Sequence, residues 1–347
     1  MMKPFVRIFS GLFLIFVCHS VIFPGTAASQ EKRREAIVEA AKKEGKLQIY
    51  ALLVISDHMQ IIQRFKEKYP FIDVQLYRGT SERLYNRIET EARANTYLVD
   101  VIGVAGFQMY QLVKRGLVGK YDSPERRHYG AGFKDKESHW TAYYVNPLVT
   151  AYNTRQVSAQ DAPKDYPDLL GPKWKGKLVM EDDEIEWFST MMGFWGEEKG
   201  AAYMRRLGAQ NFYFRKGHTL MTQLVAAGEY PGAVLLYAPQ TQSTRSAGAP
   251  IDWNPLNPTV TSMNVMGIAA RAPHPNAAML YVDHMLSEEI QREYISGKFF
   301  KVSARQGISS AIQQKLNQVK LIPTDISQSE HMERHTKKFA EIFLANR

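Results

Sequence analysis

The chain has 347 residues, a formal net charge of +9, 45% hydrophobic residues and a single cysteine. This length predicts two domains, and one cysteine excludes a disulfide framework within the chain. Lysine and arginine are interspersed with acidic residues and form no basic run, which argues against a nucleic-acid-binding function and is typical of a solvated surface.

The first 28 residues have the pattern of a secretory signal peptide. Lys3 and Arg7 precede an apolar run over residues 8–23, and small residues follow at 25–28. The run is shorter than the roughly 20 uninterrupted apolar residues of a spanning helix. We therefore predict cleavage of residues 1–28 and export to the periplasm, which removes two positive charges and lowers the net charge from +9 to +7.

Two alternatives to soluble export remain open at this stage. The apolar run could be retained as a membrane anchor, or Cys18 could be the acylated first residue of a lipoprotein. Phe16 and Val17 stand where a lipoprotein has small residues before its cysteine. With Cys18 removed, the mature chain has no thiol, and we expect a monomer.

Helices and strands alternate in the first part of the chain. Apolar periodicity and caps predict helices at 31–44, 57–69, 81–94 and 107–115, and strands at 46–53, 72–77 and 99–104. Strand-helix-strand units of this length predict a mainly parallel sheet covered by helices on both faces.

The second part begins with a long extended stretch at 141–153, which contains Pro147. Further strands are predicted at 176–180, 212–214 and 233–237, with helices at 188–195, 198–207 and 219–227. A polar turn, a strand pair around Trp253 and Met266, and a Pro-started helix follow, and the tail after Gly307 is predicted to be helical, polar and packed on the outside.

The stretch from Arg215 to Gln291 carries a family resemblance. A short helix ends at Gly228, an apolar strand and a strand pair follow, and the run APHPNAA…LSEEIQ begins a helix. This order resembles the substrate-binding proteins of ABC importers, in the branch of ferric-ion and small-anion receptors. The resemblance implies an α/β fold of two doubly wound lobes joined by hinge strands, the type II periplasmic binding protein fold. It also implies a small-molecule solute in the cleft between the lobes and a membrane permease as partner.

On this resemblance we place the lobe boundaries as follows: lobe 1 at 29–145, lobe 2 at 146–261, a return to lobe 1 at 262–306, and an outer tail at 307–347. Ligands of open α/β sheets bind beyond the carboxyl ends of the strands, near helix N-termini. Two such lobes facing each other predict a cleft at those ends.

Three loops of lobe 1 follow strands and begin helices, and their candidate residues are Ser56, Asp57, Thr80, Ser81 and Gly106. Taken singly, Asp57 and Ser81 are more simply helix N-caps. Taken together, hydroxyl groups and unpaired N–H groups at three helix starts predict a wall suited to an anion.

Across the cleft, residues 181–186 hold five carboxylates in six positions and are followed by Trp187. This stretch is either an acidic first helical turn or a contact for ligand or cation, for which Glu181 and Trp187 are the candidates. Arg215 and His218 follow the next strand, and Arg215 would pair with an anionic ligand or with the acidic stretch.

Tyr144 and Asn146 at the crossover, and Tyr237 at a strand end, are candidates for ligand hydrogen bonds. Ferric receptors of the family hold iron with two consecutive tyrosines after the strand that corresponds to 233–237. This chain has Tyr237-Ala238-Pro239 there, so we predict no metal site, although Tyr237, Glu181 or Asp182 could offer oxygen ligands.

Apparent enzyme motifs do not meet their structural requirements. The run Gly171–Leu178 has phosphate-loop spacing, but Leu178 replaces the Ser/Thr that binds Mg²⁺. We predict no catalytic residue and no cofactor, and favour a receptor that closes around a small polar, anionic solute. The alternatives are a ferric or metal-chelate receptor, a hydrolase or lyase using 181–186, and a subunit that presents the closed receptor to a membrane kinase.

Overall fold

The computed structural model describes residues 25–52 and 55–345. The chain divides into two compact units, Met1–Ala36 and Ile37–Arg347, and the features below belong to the second. The predicted signal peptide and Cys18 lie outside the described residues, except that 25–28 form the backbone of the first turn of a helix. Within the described ranges, none of the helices combines the length and the apolar character needed to cross a membrane.

Ten strands are described: β1 Lys46–Ala51, β2 Asp73–Arg78, β3 Val101–Ala105, β4 Thr141–Asn153, β5 Leu178–Glu181, β6 Tyr213–Arg215, β7 Gly232–Tyr237, β8 Ile251–Pro255, β9 Thr259–Ile268 and β10 Leu321–Pro323.

The α-helices are α1 Gly25–Glu44, α2 Ile55–Lys68, α3 Ser81–Arg93, α4 Gly106–Lys114, α5 Ile185–Trp195, α6 Glu197–Gly208, α7 His218–Ala227, α8 Ala238–Ser246, α9 Pro275–Leu286, α10 Glu288–Ile290, α11 Ala311–Leu316 and α12 Met332–Phe339. Two π-helical segments, Gln291–Lys298 and Ala340–Leu344, continue α10 and α12.

The strands form one path in the order β2-β1-β3-β9-β4-β7-β5-β6, with β10 beside β9 and β8 beside β4. The group β2-β1-β3 is parallel, and so is the group β7-β5-β6, as the strand-helix-strand pattern predicts. The two groups are joined through β9 and β4, which run antiparallel to their neighbours.

Strand β4 changes partners along its length. Residues from Thr141 to Pro147 pair with β9, whereas residues from Leu148 onward pair with β7 and β8. Pro147 has no backbone N–H and so can donate no ladder hydrogen bond at the position where the partner changes. The lobe boundaries at 146 and 262 stay predictions.

One segment differs from its predicted structure. The polar turn after Tyr237 is helix α8, whose Pro239 stands in the first turn, where a missing N–H costs no hydrogen bond. The tail, whose outer position stays a prediction, packs through Phe339 and Phe343, which are buried against Phe188 with ring centroids 5.8 and 6.4 Å away. Their four-residue spacing is the apolar stripe of a packed helix.

Candidate ligand cleft

A cleft of about 680 Å³ lies where the two parallel strand groups end. Its lining includes the last residues of three strands, Ala105 of β3, Glu181 of β5 and Tyr237 of β7. The joining strands contribute Asn146 from β4 and Asn264 from β9. A volume of several hundred Å³ is typical of a small-molecule site, and its position matches the strand-end rule.

Glu181 and His218 form an ion pair in the cleft. Nε2 of His218 lies 2.7 Å from the Glu181 carboxylate, and the Gly217 N–H donates to Glu181 Oε1 at 2.8 Å. Gly217 has φ +100°, a conformation that favours glycine, just before helix α7. Burial raises the pKa of Glu181, but the hydrogen bond and charge of His218 outweigh it, so the pKa lies below its usual range.

Glu184 and Glu186 are held in a much less favourable environment for charge. Glu184 is 7% exposed, and its nearest cationic partner is His218 Nε2 at 3.4 Å. Burial and neighbouring carboxylates raise the pKa of Glu184 to about 8. Burial likewise raises the pKa of Glu186 to about 7, although the Ser262 hydroxyl donates to it at 3.3 Å.

His218 is sandwiched between these acids and an aromatic ring. Its imidazole lies 3.8 Å, centroid to centroid, from the Tyr237 ring. Burial lowers the pKa of His218, but Glu184 and Glu181 together raise it by more than burial lowers it, so the pKa lies above its usual value. Burial and the nearby carboxylates raise the pKa of Tyr237 well above its usual value, which keeps the phenol protonated as a hydrogen-bond donor.

Five of the predicted site residues line this cleft: Tyr144, Asn146, Glu181, His218 and Tyr237. They come from three strands and the start of α7, so the fold brings together residues that are up to 93 positions apart. Whether they contact a ligand stays a prediction.

The hydroxyl groups predicted to form an anion wall in lobe 1 make local hydrogen bonds. Thr80 caps α3 by accepting from the Arg83 N–H at 3.3 Å, and the buried Ser81 hydroxyl accepts from the Ala105 N–H at 3.0 Å. Ser56 is exposed and donates to Asp57 at 3.2 Å. None of Ser56, Asp57, Thr80 and Ser81 is among the residues that line the cleft, and the anion wall stays a prediction.

Gly106, Trp187 and Arg215 are not among the residues that line the cleft. Gly106 is buried, and a Cβ there would come within 2.5 Å of Ile326. Trp187 is 1% exposed in the core, and its indole N–H donates to the Tyr166 hydroxyl at 3.4 Å. Arg215 is exposed and donates to the Phe214 carbonyl at 2.8 Å, and its pairing with an anionic ligand stays a prediction. Side chains next to each other in sequence diverge, which is why Trp187 points away from Glu186.

Glu82, Ser262 and Asn264 also line the cleft and were not predicted from the sequence. Asn264 is 4% exposed in the middle of β9, between the apolar Met263 and Val265, and its side-chain oxygen has no hydrogen-bond partner among the described residues. An amide residue between apolar residues of a strand is the sequence signal that could have found it.

Three side chains could supply ligand atoms to a metal ion. Glu181, Glu184 and His218 each have one such atom within 4.8 Å of the others. In this arrangement the His218 Nε2 and the Glu181 carboxylate already hydrogen-bond each other.

Comparison with known proteins identifies the family. The model of the bacterial extracellular solute-binding protein family matches residues 98–320, well over half of the chain. A probable ABC transporter periplasmic-binding protein of Sinorhizobium fredii is 29% identical over 108 residues, or 31% of this chain. That alignment spans only 30% of the relative's own length.

Two solved structures share the fold. A Trichodesmium protein in complex with iron and citrate has a TM-score of 0.74 at 18% identity, covering 86% of this chain and 99% of that chain. The periplasmic binding protein AfuA of Actinobacillus pleuropneumoniae, with bound fructose-6-phosphate, has a TM-score of 0.69 at 24% identity, covering 87% and 99%. The fold is thus the two-lobed α/β fold of type II periplasmic binding proteins, and the chain belongs to the bacterial extracellular solute-binding protein family.

Proposed function

We propose that this chain is the receptor subunit of an ABC importer, which captures a small polar solute in the cleft and delivers it to a membrane permease. The observation that carries the proposal is the family match over residues 98–320, which contains most of the cleft lining, from Ala105 through Glu181 and Tyr237 to Asn264. The S. fredii relative, by its name, is an ABC transporter periplasmic-binding protein.

The proposed mechanism is hinge closure around the solute. Ala105 and Gln108 line the cleft from the β2-β1-β3 side, whereas Glu181 and Tyr237 line it from the β7-β5-β6 side. A solute that contacts both sides stabilises the closed population by its higher affinity for that state. Strands β4 and β9, which connect the two groups, are the natural hinge.

The remaining properties follow from this function and are part of the proposal. We propose periplasmic location after removal of residues 1–28, action as a monomer, no binding of nucleic acid and no chemical conversion of the solute. The predicted ligand contacts are Tyr144, Asn146, Glu181, His218 and Tyr237.

The test is to purify the protein from its native host, denature it and identify released small molecules by mass spectrometry. Re-adding the identified solute is expected to raise the melting temperature, because a ligand that binds only the folded state stabilises it by mass action. At solute concentrations far above Kd, the free energy of unfolding is expected to increase by several kcal/mol. The solute is expected to be recovered unchanged. Turnover at ordinary enzyme rates, or no solute bound from a native extract, would contradict the receptor function.

A ferric or metal-chelate receptor is the second candidate. Burial and the nearby carboxylates, Glu181 among them, raise the pKa of Tyr237, and Tyr144 adds a smaller contribution. All three residues line the cleft. Phenolate and carboxylate oxygens are the ligands that Fe³⁺ favours. A phenolate-to-iron charge-transfer colour on ferric addition, lost in Tyr237→Phe, would favour this function over a metal-free solute.

A further inference from the structure

The lining of the cleft is strongly acidic. Six carboxylate side chains line it: Glu82, Glu181, Asp182, Asp183, Glu184 and Glu186. Among the residues that the structure describes there, no lysine or arginine lines it, and His218 is the one basic side chain. This lining favours a solute that brings positive charge over the anionic solute predicted from the sequence, although the chain as a whole is basic.

Two acids of the cleft wall, Glu184 and Glu186, have few partners in the protein that could neutralise them. Glu181 and Glu184 share one imidazole, that of His218, at 2.7 and 3.4 Å. Glu186 accepts a hydrogen bond from Ser262 at 3.3 Å, and Glu82 on α3 adds to the negative field around it. Charged carboxylates that are removed from water are costly unless they are paired, so the wall gains most from a ligand that brings positive charge.

Asn264 is an independent indication of the same ligand chemistry. It stands on the central strand β9, is 4% exposed, and lines the cleft. Its side-chain oxygen is buried and, in the described part of the chain, has no donor. Buried polar atoms are normally hydrogen-bonded, so a ligand N–H donor is expected at this oxygen. Asn264 lies on β9, 78 positions after Glu186 in the sequence, and is uncharged, so its position does not follow from the acidity.

The distribution of these groups fits an organic ammonium better than a bare metal ion. The acids extend from α3 to the start of α5 around a space of about 680 Å³, which is far larger than an ion needs. Of the three side chains that could hold a metal ion, Glu181 and His218 are already hydrogen-bonded to each other. Glu181 also accepts a hydrogen bond from the Gly217 N–H. A protonated amine carries three donors on a compact charge, which suits separate carboxylate and amide acceptors.

We propose that the solute carries a protonated amine, which the carboxylates of Glu184 and Glu186 and the side-chain oxygen of Asn264 bind. This inference rests on the proposed receptor function and names the ligand class of the same cleft. An adjoining cavity of about 350 Å³ shares Asn146, His218 and Tyr237 with the cleft. Lys301 lines that cavity, and within the described residues no carboxylate does, so the uncharged or anionic remainder of the solute fits there.

The experiment is a thermal-shift and calorimetric screen of matched linear compounds from two to six carbons: diamines, amino acids with terminal amines, diols and dicarboxylates. Manganese(II) and ferric citrate are included as metal probes. Amine-containing members are expected to raise the melting temperature, and the diols of equal length are not. If no amine exceeds its diol, the inference is overturned.

Variants assign the amine to its proposed partners. Glu184→Gln and Glu186→Gln are isosteric and are each expected to weaken the best amine about tenfold or more, since a hydrogen bond to a charged group contributes about 1.5–3 kcal/mol. Asn264→Ala is expected to weaken it less. Glu198→Gln, on the exposed surface of α6, is the matched control and is expected to leave affinity unchanged.

The outcomes separate the two proposals. Binding of dicarboxylates or metal probes alone overturns the amine and leaves the receptor function standing. Amine binding that is equal in the wild type and in Glu184→Gln and Glu186→Gln also overturns the assignment. Chemical conversion of a bound compound contradicts the receptor function itself.

Discussion

The two sides of the cleft use their polar residues in opposite ways. On the side of α3 and α4, the Thr80 and Ser81 hydroxyls accept hydrogen bonds from the backbone N–H groups of Arg83 and Ala105. On the side of β5 and α7, Glu184 is buried and Glu186 is half-buried, both have few partners, and their loss of hydration raises their pKa values to about 8 and 7. A polar residue at a strand end is thus available to a ligand only where the surrounding backbone leaves it unsatisfied.

The largest expected effect on stability comes from Trp187, which follows the acidic stretch in sequence but lies in the core. Trp187→Ala removes a side chain that is 1% exposed and is expected to lower the free energy of unfolding by about 3–5 kcal/mol. Urea denaturation measures it. Trp187→Phe is expected to retain solute affinity, and a loss of affinity without a loss of stability would return Trp187 to the ligand site.

The pH dependence of stability tests how much the burial of Glu184 destabilises the folded protein. Its pKa is raised to about 8, so the folded state binds the proton more tightly than the unfolded chain, and stability falls as pH rises from about 4.5 through 8. The groups that act on it are His218 from α7, Glu181 from β5, and Asp183 and Glu186 beside it.

Glu184→Gln cannot ionise, so its melting temperature is expected to fall less than that of the wild type between pH 5 and pH 9. Each unit of pKa shift corresponds to about 1.4 kcal/mol, which makes a difference of several degrees measurable. Glu198→Gln provides the exposed control. Parallel pH profiles for the wild type and Glu184→Gln would show that Glu184 is not held neutral by burial.

Ser81 tests the other side of the cleft, where hydroxyl groups are hydrogen-bonded to the backbone. Ser81→Ala leaves the Ala105 N–H without its buried acceptor and is expected to cost about 1–3 kcal/mol. Thr80→Ala removes an N-cap at a cost of about 1 kcal/mol, and Ser56→Ala, at an exposed position, is expected to cost under about 0.5 kcal/mol. Chemical denaturation ranks the three, and a loss of affinity without destabilisation in Ser81→Ala would restore the anion wall.

Arg215 carries the smallest expected effect. It is exposed and hydrogen-bonds to the Phe214 carbonyl, with Tyr230 5.7 Å from its guanidinium carbon. Arg215→Ala is therefore expected to change stability by under about 0.5 kcal/mol and to leave solute affinity unchanged in calorimetry. A tenfold loss of affinity would instead place Arg215 at the ligand.

Local patterns predicted most elements of the fold because they depend on residues close in sequence. The period of Ile61, Ile62 and Phe65 predicts α2, and the apolar run before Tyr237 predicts β7. Helix α8 was missed because its sequence, APQTQSTRS, is polar and starts at a proline, which is a pattern shared with turns. The buried stripe of the tail, Phe339 and Phe343, is hard to predict because it is short and set among charged residues.

The sequence by itself determined the parallel α/β units, the extended crossover at Thr141–Asn153 and the family, and five candidate cleft residues at strand ends. Only the tertiary structure decided which polar groups are satisfied, since that depends on partners far apart in the chain. Ser81 meets Ala105, Glu186 meets Ser262, and Asn264 meets no donor among the described residues. The charge of the cleft also depends on the tertiary structure. Burial and nearby charges set the pKa of each acid, and both arise only when the strands are assembled.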